Sequence, residues 1–268
     1  MTKSLRPKKS LGQHWLKDED SLLKICQIAK LTKNDVILEV GPGEGDLTKN
    51  LIDQSKKVIA VELDNNLTIR LIKKFKNLNN LQVLNENILD FDFSTLPMNY
   101  KIVANIPYYL TSNFIRKISE TKHPPSTATL LVQKEVAQRI TAKPGNMSLL
   151  SVTCQYYWDT KLGDLIPASK FSPVPKVDSQ IVHLTRQVNR KIDNKYEKEL
   201  FKIVRAGFSA KRKKLINSLS SNLKINKDQL SKILVDQSID PNTRPQNLSL
   251  EDWIRVYSPI LDVLSKNK

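Results

Sequence analysis

VILEVGPGEGDLT, running from Val36 to Thr48, is the stretch on which the reading of this 268-residue chain turns. Val36, Ile37, Leu38 and Val40 form the short apolar, β-branched run of a strand buried on both faces. Gly41, Gly43 and Gly45 follow, alternating with Pro42 and Glu44. Glycines this close let the backbone turn sharply and let a ligand approach without meeting a Cβ. Asp46 and Thr48 stand where a helix begins, and a helix N-terminus offers free N–H groups. Such a loop also occurs as a plain strand-to-helix turn, so its function rests on its surroundings.

The next strand, Val58-Ile59-Ala60-Val61, ends in Glu62. An acid at the carboxyl end of the second strand accepts hydrogen bonds from both hydroxyls of a ribose. The pattern G-x-G-x-G, with Glu39 two residues ahead of it, resembles motif I of S-adenosylmethionine-dependent methyltransferases more than the dinucleotide fingerprint. That donor carries no pyrophosphate, so the loop would pack against adenosine and the amino-acid tail. A dehydrogenase is the alternative.

Working outward, strands and helices alternate from Val36 on, the pattern of a Rossmann-like, doubly wound α/β sheet. Helices are expected at about 21–30, 46–54, 65–76, 112–120, 134–141 and 145–156. Strands are expected at 57–62, 81–85, 101–104, 127–133, 156–165 and 180–187, the last two as a hairpin at the sheet's end. Asp18 or Asp20 is placed to cap the first helix. Beyond Asn189 the chain is helical and rich in Lys and Arg, with Pro241, Pro245 and Pro259 marking helix ends. Residues 1–189 are therefore expected to form the catalytic domain with a basic N-terminal segment, and residues 190–268 a small all-helical, RNA-binding domain.

The formal net charge of +16 points to a polyanionic partner, RNA or DNA first and an anionic membrane surface second. Lys211, Arg212, Lys213 and Lys214 concentrate that charge, as an RNA contact or as a solvated helix face. No stretch resembles a membrane span, and MTKSLRPKKS has no apolar core of a secretory signal. Cys26 and Cys154 are too isolated for a disulfide framework and read as buried thiols in a reducing cytoplasm. His14, His123 and His183 lack metal-ligand spacing, so no metal is expected.

The strand at 101–104 runs into Asn105-Ile106-Pro107-Tyr108-Tyr109. In an open α/β sheet, ligands bind beyond the carboxyl ends of the strands, so this turn and the glycine loop would share one crevice. An exocyclic adenine amine is a poor nucleophile because its lone pair is delocalised into the ring. The Asn105 carbonyl and a main-chain carbonyl nearby can accept its two hydrogens and favour a pyramidal nitrogen. Pro107 fixes the backbone there, and Tyr108 offers a face on which the base can stack.

KKSLGQHWL, EVGPGEGDLT, VELD, NIPYYLTS, SPVPKVDS and GFSAKRKKLINSL occur in this order along nearly the whole chain. Together they resemble the ribosomal RNA adenine N6,N6-dimethyltransferase family, in particular the bacterial branch acting on small-subunit (16S) rRNA. The resemblance implies S-adenosylmethionine as methyl donor and two adjacent adenines in a hairpin near the 3′ end of 16S rRNA as target. It implies that His14, Leu16, Gly41, Glu62 and Asn105 hold the donor, and that Asn105, Pro107 and Tyr108 form the catalytic turn. One position departs. Where the family usually has Gly-Asp-Ala after the third strand, this chain has Glu86-Asn87-Ile88, so Asn87 replaces the acid that reads the donor's adenine. Charge-assisted bonds are roughly twice as strong as neutral ones, so donor affinity is expected to fall by about 1 kcal/mol. The implied partner is 16S rRNA in an immature small subunit, met by a cytoplasmic monomer away from membranes. A large-subunit rRNA adenine methyltransferase of the antibiotic-resistance type is one alternative. The other is an RNA-binding ribosome assembly factor.

Overall fold

The computed structural model describes residues 12–188, 192–193, 196–210 and 212–266. The chain divides into two compact units, Met1–Gln138 with Asp159–Arg186, and Arg139–Trp158 with Gln187–Lys268.

In chain order the elements are β1 (Trp15–Leu16), α1 (Glu19–Ala29), β2 (Val36–Val40), α2 (Asp46–Ile52), β3 (Lys57–Glu62), α3 (Asn65–Lys74), β4 (Leu81–Asn85) and β5 (Lys101–Asn105). Then follow α4 (Thr111–Glu120), β6 (Thr127–Gln133), α5 (Lys134–Ile140), α6 (Leu149–Tyr157), β7 (Trp158–Ile166), β8 (Phe171–Ser172) and β9 (Ser179–Arg186). The last helices are α7 (Glu197–Phe208), α8 (Leu215–Leu223), α9 (Lys227–Asp236) and α10 (Leu250–Lys266).

The main sheet has the order β4-β3-β2-β5-β6-β9-β7. The pairs among β2 to β6 are parallel, whereas β9 runs antiparallel to β6 from Ser179 opposite Gln133 to Thr185 opposite Thr127. Strand order reverses between β2 and β5, the topological switch point at which such sheets bind ligands. The expected adjacency of the two late strands holds, with β9 placed between β6 and β7.

Local chemistry explains the first elements. The Asp18 side chain accepts from Ser21 N and caps α1. Leu22, Ile25, Cys26 and Ala29 recur at helical spacing and are buried with Ile37, Val58, Val103 and Leu131 of the sheet. Burying Leu22 and Ile25 stabilises the unit by roughly 1.5–3 kcal/mol each. Gly45 caps α2 at φ 83. A Cβ there would stand 2.7 Å from both Leu71 Cδ2 and Phe75 Cε2, so backbone and packing both demand glycine. Cys26 and Cys154 are free and buried, and burial pushes both thiols up to about 12.

The second unit differs from the expected 190–268 by including residues 139–158. The reason is aromatic packing. Tyr156 meets Phe201 of α7 edge-on at 5.3 Å, Tyr157 stacks on it at 6.0 Å, and both hydroxyls donate to Glu197. Gly145 N donates to the Gln246 carbonyl, and Gln246 Nε2 returns a bond to the Gly145 carbonyl. Trp253 of α10 is fully buried against Phe208 and Gly207. Pro259 lies inside α10 and does not end it. Arg255, whose carbonyl loses its helical partner to that proline, is on the exposed side.

Candidate active site

A cavity of about 230 Å³ opens at the carboxyl ends of β2, β3, β4 and β5, beside the switch point. His14, Leu16, Gly41, Glu62, Asn87, Asn105, Pro107 and Tyr108, separated widely in sequence, all line it.

The glycine loop forms one wall. Gly41 N donates to the Val61 carbonyl at 2.9 Å and ties the loop to β3. The buried Glu62 carboxylate accepts from Gly43 N at 3.2 Å and from Asp64 N at 2.9 Å. Burial pushes this carboxyl above its ordinary range, against the pull of the Asp64 and Gly43 amides. A carboxylate has about four lone-pair sites, so two amide bonds leave it capacity toward the cavity.

Gly43 has a use the sequence did not reveal. A Cβ on it would come within 3.0 Å of the Trp15 indole, so this glycine makes room for an aromatic ring of the N-terminal segment. That segment is laced across the rim. Trp15 and Leu16 pair antiparallel with Ser172 and Phe171, which brings Phe171 to the cavity. Lys17 bonds Glu44 and Asp46. Burial lowers its pKa, but the two carboxylates outweigh burial and raise it. Lys170 beside Asp18 holds that carboxyl down to about 2.

Glu39 is a second buried acid on the wall, 1% exposed, and neither of its oxygens has a hydrogen-bond partner among the described residues. Burial pushes its carboxyl up to about 8, the nearby Thr48 hydroxyl opposes the rise, and the charges of Glu62 and Asp46 add to it.

The opposite wall is the end of β5. Asn105 Nδ2 donates to the His14 carbonyl at 3.3 Å, and no described residue donates to its Oδ1. Pro107, at φ −52, starts the 3₁₀ turn Tyr108–Leu110. Tyr108 is half-buried; its hydroxyl bonds Ser179 Oγ at 2.8 Å, and its ring stacks on His14 at 5.9 Å. His14 is itself anchored, Nδ1 to the Pro173 carbonyl at 2.7 Å. Burial holds the Tyr108 phenol above its ordinary pKa although Ser179 opposes this, so it stays neutral.

Asn87 lines the cavity, but its amide is engaged locally. Oδ1 accepts from Leu89 N at 3.1 Å, and Nδ2 donates to Asp90 at 2.8 Å. One lone pair of Oδ1 and one hydrogen of Nδ2 are left for a ligand.

In the basic run, Lys211 lies outside the described residues. Arg212, Lys213 and Lys214 are exposed, in the connection between α7 and α8 and not on a helix face. Lys214 donates to Asn242 Oδ1 at 2.7 Å.

Sequence reasoning missed Trp15, Leu63, Tyr109 and Phe171 as lining residues. Leu63 is 49% exposed directly after the buried Glu62, a combination that hints at a ligand surface. Phe171 gives no local signal, because only pairing with β1 brings it in. Among the described residues, no group of three or more His, Cys, Asp and Glu is arranged to hold a metal ion. No described helix is long and apolar enough to cross a membrane.

A family model described as ribosomal RNA adenine dimethylase matches residues 4–261. A protein of Dehalococcoides mccartyi strain CBDB1, named ribosomal RNA small subunit methyltransferase A, is 39% identical over 93% of this chain and 87% of its own. One of the same name from Clostridium botulinum strain Langeland is 38% identical over 96% of this chain and 94% of its own. Among solved structures, a dimethyladenosine transferase from Plasmodium falciparum superposes with a TM-score of 0.78 at 28% identity, covering 94% of this chain and 98% of that one. The 23S rRNA methyltransferase ErmE superposes with a TM-score of 0.77 at 26% identity, covering 92% and 99%. With the family model matching nearly end to end, this chain belongs to the ribosomal RNA adenine dimethylase family.

Proposed function

We propose that this chain transfers methyl groups from S-adenosylmethionine to N6 of two adjacent adenines in a hairpin near the 3′ end of 16S rRNA, during small-subunit assembly in the cytoplasm. The observation that carries the reading is the shared cavity: the glycine loop and Glu62 on one side, and Asn105 to Tyr108 on the other, open into the same space. The relatives at 38–39% identity, named for the small subunit, favour that target over the large subunit.

The lining fits the donor. Glu62 offers carboxylate capacity for a ribose diol, Leu63 and Ile88 an apolar wall for adenine, and Glu39 a buried acid whose oxygens lack partners among the described residues. His14, Leu16, Gly41, Glu62, Asn87 and Asn105 would hold it. The donor would supply an electrophilic sulfonium methyl group: N6 of the target adenine would take it in line as the S–CH3 bond breaks, S-adenosylhomocysteine would leave, and the amine proton would pass to solvent.

The chain's own residues position and polarise the amine. Asn105, its Nδ2 committed to His14, presents Oδ1 to one N6 hydrogen. A main-chain carbonyl of the same turn would accept the second hydrogen; that of Pro107 already accepts one bond, from Leu110 N. Two acceptors favour a pyramidal nitrogen with its lone pair directed outward. Tyr108 gives the base the ring face that His14 does not cover. Positioning and electrostatics carry the catalysis without a strong general base or a metal. Arg212, Lys213 and Lys214, with Lys211, would add phosphate contacts from the second unit.

Incubating the protein and donor with unmethylated 30S particles and, separately, with large-subunit RNA tests this. Mass mapping should find paired dimethyladenosines near the 3′ end of 16S rRNA. Methylation confined to large-subunit RNA would favour the resistance-type enzyme. Particle binding with transfer to neither would favour an assembly factor.

A further inference from the structure

We propose that the exposed ring of Tyr109 is a second stacking platform, which takes the base beside the target adenine when the target leaves its helical stack. This rests on the reading of the cavity as an RNA adenine site.

The two tyrosines of NIPYY are adjacent in sequence but differ in environment. They open the same 3₁₀ turn, in which consecutive side chains diverge by about a third of a turn. Tyr108 is committed inward, to Ser179 through its hydroxyl and to His14 through one face. Tyr109 lines the same cavity but is 57% exposed, and no described residue hydrogen-bonds its hydroxyl. Its ring faces Gly12, where a Cβ would meet Cδ1 at the ordinary contact distance of 3.4 Å. A large aromatic ring, largely bare at the mouth of a site, is arranged to meet a ligand.

The chemistry of the substrate supplies that ligand. Moving one base out of the stack strips a neighbour of its stacking partner and exposes that neighbour's ring face to water. An aromatic side chain at the mouth of the cavity restores the lost contact, whichever base is there, because every base has a π-face. Tyrosine does so at low entropic cost, since only two side-chain torsions are ordered. With two adjacent targets the same ring serves both: when one adenine is in the cavity the other is its neighbour.

The test uses the full chain and unmethylated 30S particles carrying either the native adenine pair or an abasic nucleotide in place of the non-target adenine. In single-turnover assays on the native particle, Tyr109→Ala should be slower by roughly tenfold, the scale of one lost base–aromatic stack. Tyr109→Phe should restore the wild-type rate. Calorimetry with S-adenosylhomocysteine should give the same affinity for all three proteins, which separates lost stacking from a damaged fold. The neighbour replacement should slow the wild type but slow Tyr109→Ala little further. A wild-type rate for Tyr109→Ala, or equal sensitivity of both proteins to the replacement, overturns the proposal. A wild-type protein that methylates neither particle overturns the reading of the site, and this proposal with it.

Discussion

Asn105 concentrates the proposed chemistry in one amide. Its nitrogen is held by the His14 carbonyl, which orients the oxygen for the target amine. That bond should strengthen as N6 becomes tetrahedral, so its loss belongs to turnover more than to binding. Asn105→Ala should slow single-turnover methylation by roughly 10²-fold, comparable with removing one preorganised transition-state contact elsewhere. Filter binding to the particle should be unchanged; a wild-type rate would remove Asn105 from catalysis. Glu39 makes a different prediction, about pH. Its folded pKa is raised from 4.5 to about 8, chiefly by burial. The stability it lends as a neutral acid is therefore full below the unfolded pKa and is lost as pH rises toward 8. In the donor-free protein, Glu39→Gln should match the wild type in urea unfolding near pH 5. Near pH 8.5 it should be the more stable by on the order of 2 kcal/mol. An equal difference at both pH values would show that Glu39 is ionised in the folded state.

At the scale of elements, close approach sets what each glycine can become. Gly207 in α7 faces Trp253 of α10, and a Cβ there would fall 2.3 Å from the indole Cη2. The indole is fully buried. Gly207→Ala should therefore destabilise the second unit by about 1–3 kcal/mol, the usual cost of overpacking. Thermal unfolding should show it, while calorimetric affinity for S-adenosylhomocysteine stays at the wild-type value because the cavity belongs to the other unit. An unshifted transition would mean that α7 and α10 separate at little cost. The same logic makes Gly43 a packing residue, since Trp15 occupies the volume its side chain would need.

For the whole molecule, the charge of +16 predicts RNA affinity that falls steeply with salt, because each neutralised phosphate releases counterions. Replacing Lys211, Arg212, Lys213 and Lys214 together by glutamine should flatten the log–log salt slope by up to about 3. The change should fall short of the full count, since Lys214 spends part of its donor capacity on Asn242. Filter binding to 30S particles across a salt series measures the slope. A slope equal to wild type would return the run to the status of a solvated loop.

Short-range patterns carried much of the fold and of the cavity. The strand, glycine loop and helix start at Val36–Thr48, the alternation after it, Glu62 at a strand end and Asn105 to Tyr108 at another are each set within a few residues. Backbone preference and side-chain period act over that distance, so they can be read from sequence alone. What needed the tertiary structure depends on residues far apart in the chain. Residues 139–158 join the helical unit because Tyr156 and Tyr157 find Phe201. Pro259 stays inside α10 although proline usually ends a helix. Phe171 reaches the cavity only by pairing with Leu16. Glu39 becomes a buried acid without a hydrogen-bond partner among the described residues, while Asn87 spends part of its amide on Leu89 and Asp90. Sequence specified which groups this protein carries and on which elements. Packing decided which of them meet and which remain unpaired, because burial and contact are properties of the assembled chain and not of any window along it.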